Sequence, residues 1–145
     1  MGYLTGDDHE ELVVRPKNVH DNATPSGSAM ATNVLFTLVA YTGNPRFVGA
    51  GEAAVAPLQP ALAQAPTRFA WCLCALEFEL APPKEIAILG EDAENLLNVV
   101  FGEYRPNQVV ACALMDEASV IPLLEERVAE DGKATAYVVN NLAKG

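Results

Sequence analysis

Among the residues whose types come nearest to acid–base chemistry are two carboxylates set in an otherwise apolar segment, Glu77 and Glu79 of Ala75-Leu76-Glu77-Phe78-Glu79-Leu80. Desolvation in such a setting raises a carboxyl pKa toward the range in which it can exchange protons near neutrality. On a helix, residues i and i+2 point about 200° apart, so at most one of the pair faces any given pocket. His20 stands beside Asp21, an imidazole next to a carboxylate, and is the third candidate for proton transfer. All three also have a structural explanation, with one glutamate solvated, the other hydrogen-bonded to a neighbouring element, and His20 held at the surface of a loop. No catalytic residue is assigned; Glu77, Glu79 and His20 are the candidates.

A binding role points to a different stretch. Asp21-Asn22-Ala23-Thr24-Pro25-Ser26-Gly27-Ser28 is a polar turn that feeds directly into the apolar run from Met30 to Tyr41. A loop that ends in a helix start gathers free backbone N–H groups and small hydroxyls at one point, which makes Asp21, Asn22, Ser26 and Ser28 the candidate binding residues. Pro25-Ser26-Gly27 lacks the G-x-S-x-G elbow of a serine nucleophile, so the Ser26 hydroxyl is better explained as a helix cap. Leu89-Gly90 ends a strand before a helix, as nucleotide sites do, but only one glycine is present. The helix also opens with Glu91 and Asp92, which would repel a phosphate. Asp7, Asp8, His9 and Glu10 are metal-competent types; their adjacency in a leader reads as a solvated acidic lead-in, and no metal and no cofactor is expected. Cys72, Cys74 and Cys112 fit neither a C-x-x-C pair nor a disulfide framework and read as small buried hydrophobes.

The elements that must position these residues follow from the punctuation of the chain. Pro16 makes the opening residues an extended strap. A helix is predicted over about Ser28 to Thr42, capped by Ser26 or Ser28 and closed by Gly43, with Met30, Val34, Leu38 and Tyr41 as one stripe. Leu35, Phe36 and Val39 fall on its other faces, so it is apolar nearly all round and expects more neighbours than the chain supplies. Asn44-Pro45 starts a second helix to about Ala63, with Phe47, Val48, Val55, Leu58 and Leu62 as its apolar set. Pro57 and Pro60 predict a kink or break near Ala56. A third runs from about Pro66 to Leu80, with Phe69, Leu73, Leu76 and Leu80 as its stripe. After Pro82-Pro83 the pattern becomes a strand over Glu85 to Gly90, a helix from Glu91 to Phe101, and a strand over Gln108 to Ala113, which together make a βαβ unit. One or two helical turns at Pro122 to Arg127, a turn at Asp131-Gly132 and a third strand over Ala134 to Val139 complete it. The fold class is mixed α and β. Residues 1–82 form antiparallel helices with an N-terminal strap, and residues 83–145 form a small, mainly parallel three-stranded α/β layer.

At 145 residues, half of them hydrophobic, burial does not limit folding. With 9 basic against 19 acidic residues, net −10 and no basic cluster, the chain is a poor partner for nucleic acid or an anionic membrane. There is no run of 18 apolar residues and no signal-like N-terminus, so a cytoplasmic location is expected.

Five segments carry a family likeness: Thr5-Gly6-Asp7-Asp8-His9-Glu10, Val14-Arg15-Pro16-Lys17, Asp21 through Gly27, Pro82-Pro83-Lys84-Glu85-Ile86 and Ala134-Thr135-Ala136-Tyr137-Val138. In order and spacing the chain resembles the C-terminal part of the YyaL-type proteins, also called thioredoxin-domain-containing or spermatogenesis-associated proteins. The resemblance implies the end of an (α/α)6 toroid, of the kind found in six-hairpin glycosidases and sugar epimerases, followed by a small α/β element. The thioredoxin-like part of that family has no counterpart here, so its redox role does not carry over. Ser28 stands where the family usually has Asn. The C-terminal stretch from Tyr137 to Gly145 lacks the family's two cysteines, so a metal or redox role for that tail does not carry over either.

A toroid fragment explains the helix that is apolar all round, and it implies self-association through the helical half or pairing with the missing N-terminal part. Two functions follow. The first is a structural or assembly domain without catalysis of its own. The alternative is a share in a carbohydrate-binding or carbohydrate-active pocket, epimerase- or glycosidase-like, lined by the Asp21 to Ser28 loop and by Glu77 or Glu79.

Overall fold

A computed structural model describes residues 19–81, 83–114 and 119–140. The expected strap, with Asp7, Asp8, His9 and Glu10, and the tail after Asn140 lie outside the described residues.

Helix α1 (Gly27–Thr42) begins where Ser26 stops the extended chain. The Ala29 N–H donates to Ser26 Oγ at 3.2 Å and the Met30 N–H to the Ser26 carbonyl at 3.0 Å, so Ser26 is the N-cap. Its other end is closed by Gly43, at φ +63, whose N–H donates to the Val39 carbonyl at 2.7 Å. Both ends fall within one residue of the sequence reading. The long second helix breaks where its prolines require it. Helix α2 (Pro45–Val55) gives way to a 3₁₀ turn at Ala56–Leu58 and then to α3 (Gln59–Gln64). Pro57 and Pro60 each sit in the first turn of a new helical piece, where the missing N–H has no partner to lose. A further 3₁₀ turn, Pro66–Phe69, leads into α4 (Ala70–Leu80).

Strand β1 (Lys84–Leu89), helix α5 (Glu94–Phe101) and β2 (Gln108–Ala113) form the expected βαβ unit, with β1 and β2 parallel. Two 3₁₀ turns, Pro122–Leu124 and Glu130–Gly132, lead to β3 (Thr135–Asn140). The strand order is β2-β1-β3, and β3 pairs with β1 antiparallel, so the sheet is mixed where the sequence predicts a mainly parallel one. A parallel neighbour needs a crossover, usually helical. Among the described residues between β2 and β3 there are only short 3₁₀ turns.

The chain divides into two compact units: residues 19–36 and 45–77 belong to one, and residues 37–44 with those from 78 onward to the other. The first unit is helical. Its core is Ala29, Val55, Leu58, Leu62, Phe69 and Cys72. Two predicted stripes are corrected here. On α1 the buried residues are Ser28, Ala29, Thr32 and Phe36, whereas Met30 and Val34 are 44% and 51% exposed. Small side chains on that face permit close approach, and Gly51 of α2 leaves the room that the Phe36 ring fills. From the 3₁₀ turn into α4, burial follows Phe69, Cys72 and Ala75, leaving Leu73 and Leu80 exposed. Cys74 and Cys112 are likewise exposed; of the three cysteines only Cys72 is a buried hydrophobe.

The second unit packs α5 on one face of its sheet, with Ile86, Ile88, Ala93 and Val100 as a buried cluster. The turn at Pro122–Leu124 packs against β1 and β2, and Leu123 and Leu124 are buried. Gly90 has φ +124, and a Cβ there would stand 2.7 Å from Ala134 Cα, so the close approach of β1's end to the start of β3 requires glycine.

Candidate functional site

Asp21 is the hub of the loop that the sequence offers as a binding site. Its own N–H donates to the Arg68 carbonyl at 2.9 Å. Its Oδ1 accepts the Ser26 N–H at 2.8 Å and its Oδ2 accepts the Trp71 N–H at 2.9 Å. Trp71 is the second residue of α4, so Asp21 serves as a cap supplied from fifty residues away, and its charge complements the positive end of that helix. One carboxylate thus ties the entrance of α1 to the start of α4.

The other candidates divide sharply. Ser26 is 1% exposed and spends its hydroxyl on the Ala29 N–H. Ser28 is also buried, and its carbonyl accepts the Thr32 hydroxyl at 2.9 Å. Asn22 is exposed, with its N–H turned to the Thr24 carbonyl at 3.1 Å. The loop therefore brings Asp21 and Ser26 together, and what they hold is backbone. His20 is exposed, its ring tilted 60° against Phe69 with centroids 5.0 Å apart. Beneath the loop, Cys72 is 2% exposed. Burial first, and the negative charge of Asp21 second, push its thiol above the ordinary value. Glu77 is exposed and Glu79 half-buried, as expected for positions on different faces of α4. Both have interaction partners.

Sequence reasoning missed a concavity elsewhere in the chain. In the sheet-bearing unit a shallow cleft of about 490 Å³ is walled by Tyr41, Phe101 and Tyr104, with Arg105 and Gln108 among its polar residues. Arg105 pairs with Glu103 at 2.8 Å, and the buried Oε1 of Gln108 has no hydrogen-bond partner among the described residues. Arg105-Pro106-Asn107 reads in sequence only as a turn, and nothing local connects it with Tyr41. Among the described residues no group of three or more metal-ligating side chains converges, and no helix is long and apolar enough to cross a membrane.

The comparison with known proteins gives one direction. The chain is similar to a spermatogenesis-associated protein. It is 25% identical over 141 residues to spermatogenesis-associated protein 20 of Mus musculus, an alignment covering 92% of this chain and 18% of that protein. The chain thus spans less than a fifth of the relative's length. No family model matches the chain, and no solved structure does.

Proposed function

We propose that this chain is a structural or assembly domain, the C-terminal end of an (α/α)6 toroid with its small α/β element, in the thioredoxin-domain-containing proteins it resembles, with no autonomous catalysis. The observation that carries this is the exposed apolar surface of the helical unit. Met30 and Val34 lie one turn apart on α1, and α1 contains no charged residue over its sixteen positions. Trp71 and Leu73 of α4 are exposed in the same unit. Large apolar side chains left exposed on α1 and α4 fit a surface that a partner covers. The similarity to a much longer protein supports further helices as the natural cover. A second copy of the chain is the other cover that this reading allows.

Asp21 and Ser26 support the same reading. Their polar atoms are committed to the ends of α1 and α4, which is the work of a scaffold. The test pairs light scattering with a thermal-shift screen of mono- and disaccharides. Self-association at micromolar concentration that is weakened by Met30→Glu/Val34→Glu, without a sugar-induced shift, is the expected result. A monomer stabilised by a sugar would overturn it in favour of the carbohydrate pocket.

A further inference from the structure

The two edges of the sheet are finished differently. In the parallel pair, Lys84 N–H donates to the Asn107 carbonyl at 2.9 Å and Gly90 N–H to the Ala113 carbonyl at 3.1 Å. Even-numbered residues of β1 therefore turn their main-chain groups to β2, and Glu85, Ala87 and Leu89 turn theirs to β3, opposite Val139, Tyr137 and Thr135. It follows that Gln108, Val110 and Cys112 face outward on β2, and Ala136, Val138 and Asn140 face outward on β3. The β2 edge bears this out, because its Val110 carbonyl accepts the Tyr41 phenol at 3.1 Å. That edge is guarded by Tyr41, and Arg105-Pro106 precede it.

Among the described residues, the β3 edge carries none of the usual protections. Thr135-Ala136-Tyr137-Val138-Val139-Asn140 has no charge and no proline, and its pairing with β1 runs without a bulge. Val138 shares the α5 face of the sheet with Ile86 yet is 57% exposed. The strand is also held straight from its other face. The Tyr137 phenol donates to the Val128 carbonyl at 2.8 Å, and Thr135 Oγ1 accepts the Glu130 N–H at 2.9 Å.

We propose that β3 pairs antiparallel with β3 of a second copy, about a twofold axis at Val138, to make one continuous six-stranded sheet. At that axis each Val138 N–H donates to the carbonyl of its counterpart, and Ala136 stands opposite Asn140 of the other copy. The chain's net charge of −10 makes two copies repel over most of their surface, so a twofold contact needs a charge-free stretch that is its own complement. The β3 strand is one. Because Tyr41 guards the opposite edge, the contact uses one edge per copy and closes at the dimer. This surface is independent of the helical one proposed above.

The test uses the full chain carrying Met30→Glu/Val34→Glu, so that helical association does not contribute to the reading. Light scattering should give twice the 15.4 kDa chain mass at micromolar concentration. Ala136→Pro removes only an outward N–H, a position where an edge strand tolerates proline, and should leave a folded monomer. Val138→Lys should do the same by setting like charges opposite each other. A monomeric background, or a dimer that survives both substitutions, would overturn the proposal. Should either variant lose its circular-dichroism signature, amide exchange at Val138 in the otherwise unsubstituted background decides. Protection that rises with concentration supports the pairing, and fast exchange at every concentration refutes it.

Discussion

Asp21 Oδ2 accepts the main-chain N–H of Trp71 at 2.9 Å, while its Oδ1 holds the N–H of Ser26. The pair joins two helix starts that lie fifty residues apart in sequence. Asp21→Ala leaves both donors without their charged acceptor and should cost roughly 2–4 kcal/mol in urea unfolding. Asp21→Asn keeps one acceptor oxygen and should fall between that variant and the wild type. Equal stability for all three would remove Asp21 from its clamping role.

Cys72 supplies a chemical readout of the same region. With iodoacetamide under native conditions, Cys74 and Cys112 should be labelled and Cys72 protected, as peptide mass spectrometry can show. Its thiol titrates above the ordinary 9.0 in the fold. Below that value both folded and unfolded states keep the proton, and stability does not depend on this group. As pH rises past it the unfolded thiol ionises first, so the unfolded state gains and stability falls. Cys72→Ala should flatten this alkaline part of the stability profile. An unchanged profile would contradict the burial of the thiol.

Gly51 and Phe36 give a packing test. A Cβ at position 51 would stand 2.9 Å from both Cδ1 and Cζ of the Phe36 ring, which is almost fully buried and cannot move aside into solvent. Gly51→Ala should destabilise the helical unit by roughly 1–3 kcal/mol, despite the better helix propensity of alanine. Gly90→Ala should cost more, because it adds a left-handed φ to a clash with the backbone of Ala134. Denaturant midpoints of the two variants check both expectations.

What could be read in the chain was its punctuation. Ser26, Gly43, Pro45, Pro57 and Pro60 act through local backbone geometry, and the helix ends and the break near Ala56 lie where these residues put them. The buried face of α1 was not readable. When every face is apolar, periodicity carries no direction; Phe36 is buried where Gly51 of another helix leaves room for its ring, and Ala29 packs with Val55, Leu58 and Leu62, none of which α1's own sequence announces. The antiparallel entry of β3 goes with a connection that has no crossover helix among its described residues, a property of the path and not of the strand. Asp21 was legible as a polar residue at a helix entrance. Its partner Trp71 was not, since a main-chain donor fifty residues away leaves no trace in composition or spacing.

The exposed face of α1 is where the proposed role is most directly open to measurement. Met30 can be followed alone by peroxide oxidation and peptide mass spectrometry, over a range of chain concentrations. Protection that grows from nanomolar to micromolar concentration and disappears in Val34→Glu is the expected result for a helical surface made to be covered. Rapid oxidation of Met30 at every concentration, in a chain that light scattering shows to be monomeric, would contradict it.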